Sequence, residues 1–250
     1  MSLEGKVVAV LGATGNVGAA IVELFDKEGA KVYGTSRSKE KFETVRKEFG
    51  WSDNVEFLDS DFSSDKAAAD TASSMLKASG GKLLHVVSNI GFATIGKSAL
   101  EYGTEDMLSM INTEVLPSFR ASQAFINVLG GVEGSTVTLT AGGFGYGLKP
   151  TMGKLYGGSV KNAILMNLAT CFNAAIVDDG LKTSAQVVSI FYGVSRKGEK
   201  KNQWGFPADE ASGSKSAKAF LAALSGKFAG QVMDLKSPED GEKFLMESTK

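Results

Sequence analysis

The sequence predicts an α/β fold: a single domain, residues 1–250, built on one doubly wound parallel sheet of about seven strands with helices on both faces. Three observations predict it. Short apolar runs alternate with helical segments from one end of the chain to the other. The 30 glycines exceed the usual share of about 7% and gather where those runs stop. The first run, Val7-Val8-Ala9-Val10-Leu11, ends in Gly12-Ala13-Thr14-Gly15-Asn16-Val17-Gly18 and passes straight into a helix-like segment. Crossovers between parallel strands are right-handed, which puts helices on both faces of such a sheet.

The elements follow in order. After a polar lead-in, the first strand meets the glycine turn, and a helix over 19–27 carries Ile21, Val22, Leu24 and Phe25 on one broad face before stopping at Gly29. A second strand covers 31–35 and exits through Ser36-Arg37-Ser38 into a charged helix over 39–49. A third strand, 55–58, leads to Asp59-Ser60-Asp61, with Ser63 as the expected N-cap of a helix reaching 79. The fourth strand, 83–87, leaves through Ser88-Asn89-Ile90-Gly91. A long helix over 105–129 contains Pro117, which predicts a kink or break. A fifth strand at 136–140, a glycine-rich loop at 142–158 and a helix over 159–178 come next. A sixth strand at 185–191, a basic loop from 193, a helix over 208–225, a last strand at 231–235 and a charged tail complete the chain.

Composition bounds the function classes. A net charge of −1 gives no bulk electrostatic case for nucleic acid or acidic membranes. One cysteine, Cys171, excludes an internal disulfide; its apolar helical setting reads as a buried structural thiol. The single His85 sits in an apolar strand and reads as a packed core residue, so no metal site is expected. Neither a secretory signal nor an apolar run of membrane-spanning length is evident, and a cytoplasmic protein with no membrane partner is expected.

Ligands of doubly wound sheets bind outside the carboxyl ends of the strands. The Gly12, Arg37, Asp61, Asn89, Thr140 and Tyr192 regions all fall at such ends and are expected to line one crevice. The turn and helix start, Gly12, Thr14, Gly15, Asn16, Val17 and Gly18, suit a pyrophosphate: glycine admits a close backbone approach, and a helix N-terminus offers N–H groups and positive dipole.

Over nearly its full length the chain resembles the short-chain dehydrogenase/reductase family, with its Rossmann-like fold. The residues that carry the resemblance are the glycine turn, Asp61, Ser88-Asn89-Ile90-Gly91, Asn112, Lys161 and the final Gly230-Gln231-Val232. The glycine spacing, Gly12-x-x-Gly15-x-x-Gly18, is similar to extended and atypical members, while the chain after residue 80 is similar to the compact branch. The resemblance implies a nicotinamide dinucleotide. Asp61, with Phe62 beside it, would lie at the adenine edge, and Asn89, Gly91, Tyr192, Gly193 and Lys161 toward the nicotinamide half. An acid at the end of the second strand would bind the ribose hydroxyls and repel a 2′-phosphate. This chain has Thr35-Ser36-Arg37-Ser38 there, which favours NADP(H) over NAD(H), with Arg37 as the phosphate partner and Thr14, Ser36 or Ser38 adding donors. The alternative for Arg37 is the start of a solvated helix with Lys39 and Lys41.

The family's catalytic set is a Ser, a Tyr-x-x-x-Lys pair and an Asn. By resemblance Lys161 is the lysine and Asn112 the asparagine. Gly157 then falls at the tyrosine position, with Tyr156 one residue early, and Ala141, or at best Thr140, falls at the serine. Two explanations stand. Either the glycine pair lets the backbone wind irregularly so that Tyr156 reaches the site and Thr140 replaces the serine, or the usual acid is gone. Tyr146, Tyr156 and Tyr192 are candidate substitute donors. Specificity is expected from loops 92–103, 142–158 and 193–207, with Phe92, Phe144, Met152, Leu155, Phe191 and Tyr192 as apolar lining. The basic run Arg196, Lys197, Lys200, Lys201 reads as a solvated lid edge. Surplus apolar residues on the two long helices (Met110, Phe119, Phe125, Leu165, Met166, Phe172) suggest, by family analogy, a homodimer or homotetramer. The expected function is an NADP(H)-dependent oxidoreductase for a small apolar carbonyl or imine-type substrate. The alternative is a non-catalytic or non-redox NADP(H)-binding sensor or scaffold.

Overall fold

Alternation along the first strand sets the architecture. In β1 (Val7–Leu11), Val8 and Val10 join one hydrophobic core while Val7, Ala9 and Leu11 join another, so both faces of the sheet are covered. The computed structural model describes residues 1–91, 96–147, 153–202 and 208–250. Among them seven strands run parallel in the order β3-β2-β1-β4-β5-β6-β7. They are β2 (Lys31–Gly34), β3 (Val55–Phe57), β4 (Leu83–Ser88), β5 (Thr136–Gly142), β6 (Ser184–Ile190) and β7 (Val232–Leu235). Order reverses at β1, flanked by β2 and β4, so the crevice beyond its carboxyl end is the switch point of the sheet. The doubly wound fold expected from the sequence is the one observed.

One face carries α1 (Asn16–Lys27), α7 (Ser212–Ala223) and α8 (Asp240–Ser248), with α2 (Lys39–Phe49) at the β2 edge. The other carries α3 (Asp65–Ala78), α5 (Leu116–Leu129) and α6 (Tyr156–Asp178). Local chemistry sets the ends. Ser38 accepts from the Lys41 N–H to cap α2, which stops at Gly50 in the left-handed region.

Several expectations are corrected. Ser64, not Ser63, caps α3: Ser64 Oγ accepts from Ala67 N, while the Ser63 N–H is engaged by Asp61 Oδ1. The helix expected over 105–129 is three pieces, α4 (Thr104–Met110), a π-helical turn (Ile111–Val115) and α5. Pro117 lies in the first turn of α5, where its missing N–H costs nothing, and the wider π turn before it absorbs the irregularity. The charged tail folds as α8 because Lys215 and Lys218 on or near α7 pair with Glu239 and Glu242. α6 starts at Tyr156, three residues earlier than expected.

α6 corrects two further readings. It is long and apolar enough to cross a membrane by length and composition, with a mean hydropathy of 1.4, yet it packs against β5 and β6 in the sheet layer. Only a third of its most apolar window is buried, so Cys171, expected in the core, is exposed, as is Val177. A helix apolar on all sides does not declare which side faces inward. His85 does lie in the core, with Nδ1 3.0 Å from Thr136 Oγ1; burial, aided by the charge of Lys6, lowers its pKa to about 4.

Candidate functional site

The glycine turn is built by close packing. Gly12 has φ +77, and a Cβ there would overlap the Asn89 carbonyl oxygen. A Cβ on Gly18 would overlap the Gly12 carbonyl in turn. These two glycines are needed by the protein itself. Gly15 differs: a Cβ there meets only ordinary contacts, Asn89 Nδ2 and Gly12 O at 3.7 Å. Gly15 is also the N-cap of α1, which has no side-chain cap and no acid in its first turn. A bare helix start with room above it is the cradle an anionic pyrophosphate requires.

Neighbouring strand ends fix the turn. The Ala13 N–H donates to Thr35 O (2.9 Å) and the Gly12 N–H to Thr35 Oγ1 (3.1 Å). Thr14 Oγ1 lies 3.0 Å from Ser36 Oγ, which sets two hydroxyls side by side beyond β2, with Arg37 exposed next to them. From β4, the Asn89 N–H donates to Leu11 O, and its side chain reaches Gly12 O at 3.5 Å. Ser118 on α5 donates to Ile90 O and holds this exit loop down. Beyond β3, Asp61 accepts from the Ser63 N–H, which lowers its carboxyl pKa, and its own N–H donates to Thr71 Oγ1. Phe62 beside it is half-buried against the α3–α5 core.

The segment after β6 crosses the start of α1. Asn16 Nδ2 donates to Val194 O at 3.1 Å. Arg196 grips Glu48 on α2 through two nitrogens, and Lys197 pairs with Glu23 on α1. The basic run therefore contributes a strap. Gly193 packs under the Asn202 amide, since a Cβ there would sit 2.8 Å from Nδ2.

Lys161 lies in the first turns of α6, buried, with its Nζ 2.8 Å from the point where a Cβ of Gly91 would stand. Gly91 has φ +123, so glycine answers both the backbone and the lysine beneath it. Burial lowers the Lys161 pKa, and the charge of Glu114 opposes that shift. Glu114 is itself buried, whereas Asn112, two residues earlier in the π turn, is exposed. Glu114, buried and near enough for its charge to act on Lys161, escaped the sequence reading; its signal was a charged residue beside the break before Pro117.

The remaining candidates separate. Thr140 lies in β5 with Oγ1 buried and without a hydrogen-bond partner among the described residues. Alternation places Thr140 on the face of Thr138, which accepts from Gln186, while Ala141 faces the α6 core. Of the two residues aligned with the family serine, the one in the α6-side core, Ala141, carries no hydroxyl. α6 is helical from Tyr156 onward, so the irregular winding considered for Gly157 and Gly158 is not what forms. Tyr156 stands five residues before Lys161, about 140° around the helix. Its ring packs edge-on to Tyr102, centroids 5.3 Å apart, and Glu114 is among the charges that, after burial, push the Tyr102 phenol up. Tyr146 donates to the Asp234 carboxylate and stacks on Phe191. Tyr192 shares a 2.7 Å hydrogen bond with Ser216 on α7, and burial pushes its phenol up to about 12. Both are committed away from Lys161. Phe92 and Met152, expected in the pocket, lie outside the described residues. Among the described residues no cluster of metal-ligating side chains occurs.

Known proteins share this fold. An NADP-dependent (R)-specific alcohol dehydrogenase of Lentilactobacillus kefiri is 33% identical over 113 residues, 45% of this chain and 44% of that enzyme. The chain spans about half the length of the curated relatives it matches. Among solved structures, a short-chain type dehydrogenase/reductase from Mycobacterium marinum superposes with a TM-score of 0.77 at 19% identity, covering 93% of this chain and 95% of that one. A short chain dehydrogenase from Burkholderia cenocepacia in complex with NADP gives 0.74 at 20% identity, with 94% and 97% covered. These likenesses establish the shared fold. The short chain dehydrogenase profile matches residues 6–173, two thirds of the sequence, and with the glycine turn, the β4 exit and the buried lysine in place, the chain belongs to the short-chain dehydrogenase family.

Proposed function

We propose that this protein is an NADP(H)-dependent oxidoreductase acting on a small apolar carbonyl or imine-type substrate. The observation that carries the reading is Lys161, buried under Gly91 in the exit loop of β4, the strand beside β1 at the switch point. Asn16, Val17 and Gly18 present the α1 N-terminus to the pyrophosphate. Ser36, Thr14 and Arg37 fit a 2′-phosphate, since residues 35–38 contain no acid to repel one. The alcohol dehydrogenase relative named as NADP-dependent supports the same choice. Asp61 and Phe62 flank the adenine side, and Asn89, Gly91 and Gly193 the nicotinamide side. When bound, the cofactor supplies or accepts a hydride. This chain's part is to orient the substrate and move one proton. Lys161 provides positive charge beside the reacting oxygen or nitrogen, and the Tyr156–Tyr102 phenol pair provides the donor.

A second reading, a non-redox NADP(H)-binding protein, draws on one observation: a regular α6 puts Gly157, not Tyr156, four residues before Lys161. Thermal shift with NADPH and NADH, beside NADPH consumption over a carbonyl, imine and quinone panel, decides. Turnover on any class establishes the enzyme. Binding without turnover leaves the sensor, and no stabilisation by either dinucleotide overturns both. The surplus apolar face of α6, with exposed Cys171 and Val177, supports a homodimer or homotetramer, and a cytoplasmic location fits the composition.

A further inference from the structure

We infer that Glu114 is a positioning residue: its side chain is the counter-ion of Lys161, and the two act as one charged unit at the floor of the crevice. The inference rests on the oxidoreductase reading for its purpose but not for its test. Three observations carry it. Both residues are buried, Glu114 at 3% and Lys161 at 8% exposure, and charges taken out of water require partners. Both residues border Gly91: the point where its Cβ would stand is 2.8 Å from Lys161 Nζ and 3.3 Å from the Glu114 backbone carbonyl oxygen, which brings residue 114 beside the ammonium. The π turn makes the convergence possible, because it leaves Asn112 and Thr113 exposed while turning Glu114 and Val115 inward.

Other titratable groups nearby do not displace Glu114 from this role. Tyr102 and Tyr156 are phenols, and Asp106 is engaged by Lys97 through both carboxylate oxygens on the exposed side. The Lys161 ammonium, disfavoured by burial, is favoured by the Glu114 charge. A lysine that kept no proton would offer no positive charge to a phenol losing its own. An acid at this place therefore lets a deeply buried lysine remain a cation, while burial first, and the same charge after it, favour the protonated Tyr102 phenol.

The test reads the lysine directly, in the full-length protein without cofactor. Lysine labelled with carbon-13 at Cε is followed by NMR across pH, with the Lys161 signal assigned by its absence in Lys161→Arg. In Glu114→Gln the Lys161 midpoint falls by at least about one pH unit, the shift an opposite charge at close range produces; Glu114→Asp restores most of it. An unchanged midpoint in Glu114→Gln overturns the inference. Stability supplies a second reading, which also serves if Glu114→Gln folds poorly. Glu114→Gln raises the unfolding constant at least tenfold more in the wild-type background than in Lys161→Met, and equal effects in the two overturn it. In the active enzyme, the alkaline limb of the kcat profile moves to lower pH in Glu114→Gln while the KM for NADPH holds. A protein that binds no NADPH refutes the oxidoreductase reading and leaves the lysine titration standing.

Discussion

Gly15→Ala and Gly18→Ala separate the two uses of glycine in the phosphate turn. At Gly15 an added methyl finds its nearest neighbours at 3.7 Å, and the backbone (φ −76, ψ 166) is one alanine adopts without strain. Losing glycine at the N-cap costs up to ~1 kcal/mol. The stiffer unfolded chain returns about 0.4–1 kcal/mol, so stability stays nearly level. At Gly18 the methyl overlaps the Gly12 carbonyl, backbone against backbone, and the turn must shift. Overpacking of this kind costs about 1–3 kcal/mol, which lowers Tm by roughly 2–12 °C for a chain of this size. NADPH affinity moves the other way. The Gly15 methyl occupies the space above the bare α1 N-terminus, and the Kd rises at least tenfold, about 1.4 kcal/mol. Calorimetric melting and NADPH fluorescence titration of both variants check this. A Gly15→Ala protein that binds NADPH like wild type, or melts as low as Gly18→Ala, refutes the reasoning.

Acid stability reports on His85. Its folded pKa of about 4 lies below the ordinary 6.5, so the stability present above pH 6.5 is lost as pH falls from 6.5 toward 4. The loss reaches about 2 kcal/mol by pH 5; His85→Gln flattens that slope in urea titrations, and an unchanged slope counts against the assignment. Arg37→Glu weakens NADPH binding at least tenfold and leaves NADH within a few-fold; equal losses would remove Arg37 from the phosphate site. Cys171 is expected to react slowly with a thiol reagent in the proposed homo-oligomer and rapidly once dilution yields monomers. Fast labelling together with a monomeric mass in light scattering defeats the oligomer proposal.

Much of the fold was legible because it rests on short-range chemistry. Gly12 and Gly18 mark a turn that only glycine can pack, and Ser38 and Gly50 bracket α2 as their residue types require. The glycine turn of the candidate site was legible for the same reason. The surroundings of Lys161 were less so. Helical periodicity assumes 3.6 residues per turn, and the π turn at Ile111–Val115 breaks that count, so the pattern does not show that Glu114 is buried while Asn112, which the family resemblance singled out, is exposed. α6 hid its exposure because apolar residues on every side carry no direction, and only the packed sheet shows that Lys161 and Leu165 face inward while Cys171 does not. The α8 helix was hidden by its charges, whose partners lie 24 residues upstream.

The strap from β6, tied by Asn16 to Val194 and by Arg196 and Lys197 to Glu48 and Glu23, has a consequence in time. Any dinucleotide settling on the α1 N-terminus arrives at a place already latched. The segment is held there by two ion pairs and one amide hydrogen bond. Added salt weakens the ion pairs and leaves the amide, so it quickens exit more than it erodes the glycine cradle. If the proposed dinucleotide binds at this helix start, its release rate is expected to rise with ionic strength, and stopped-flow displacement across a salt series reads that rise directly.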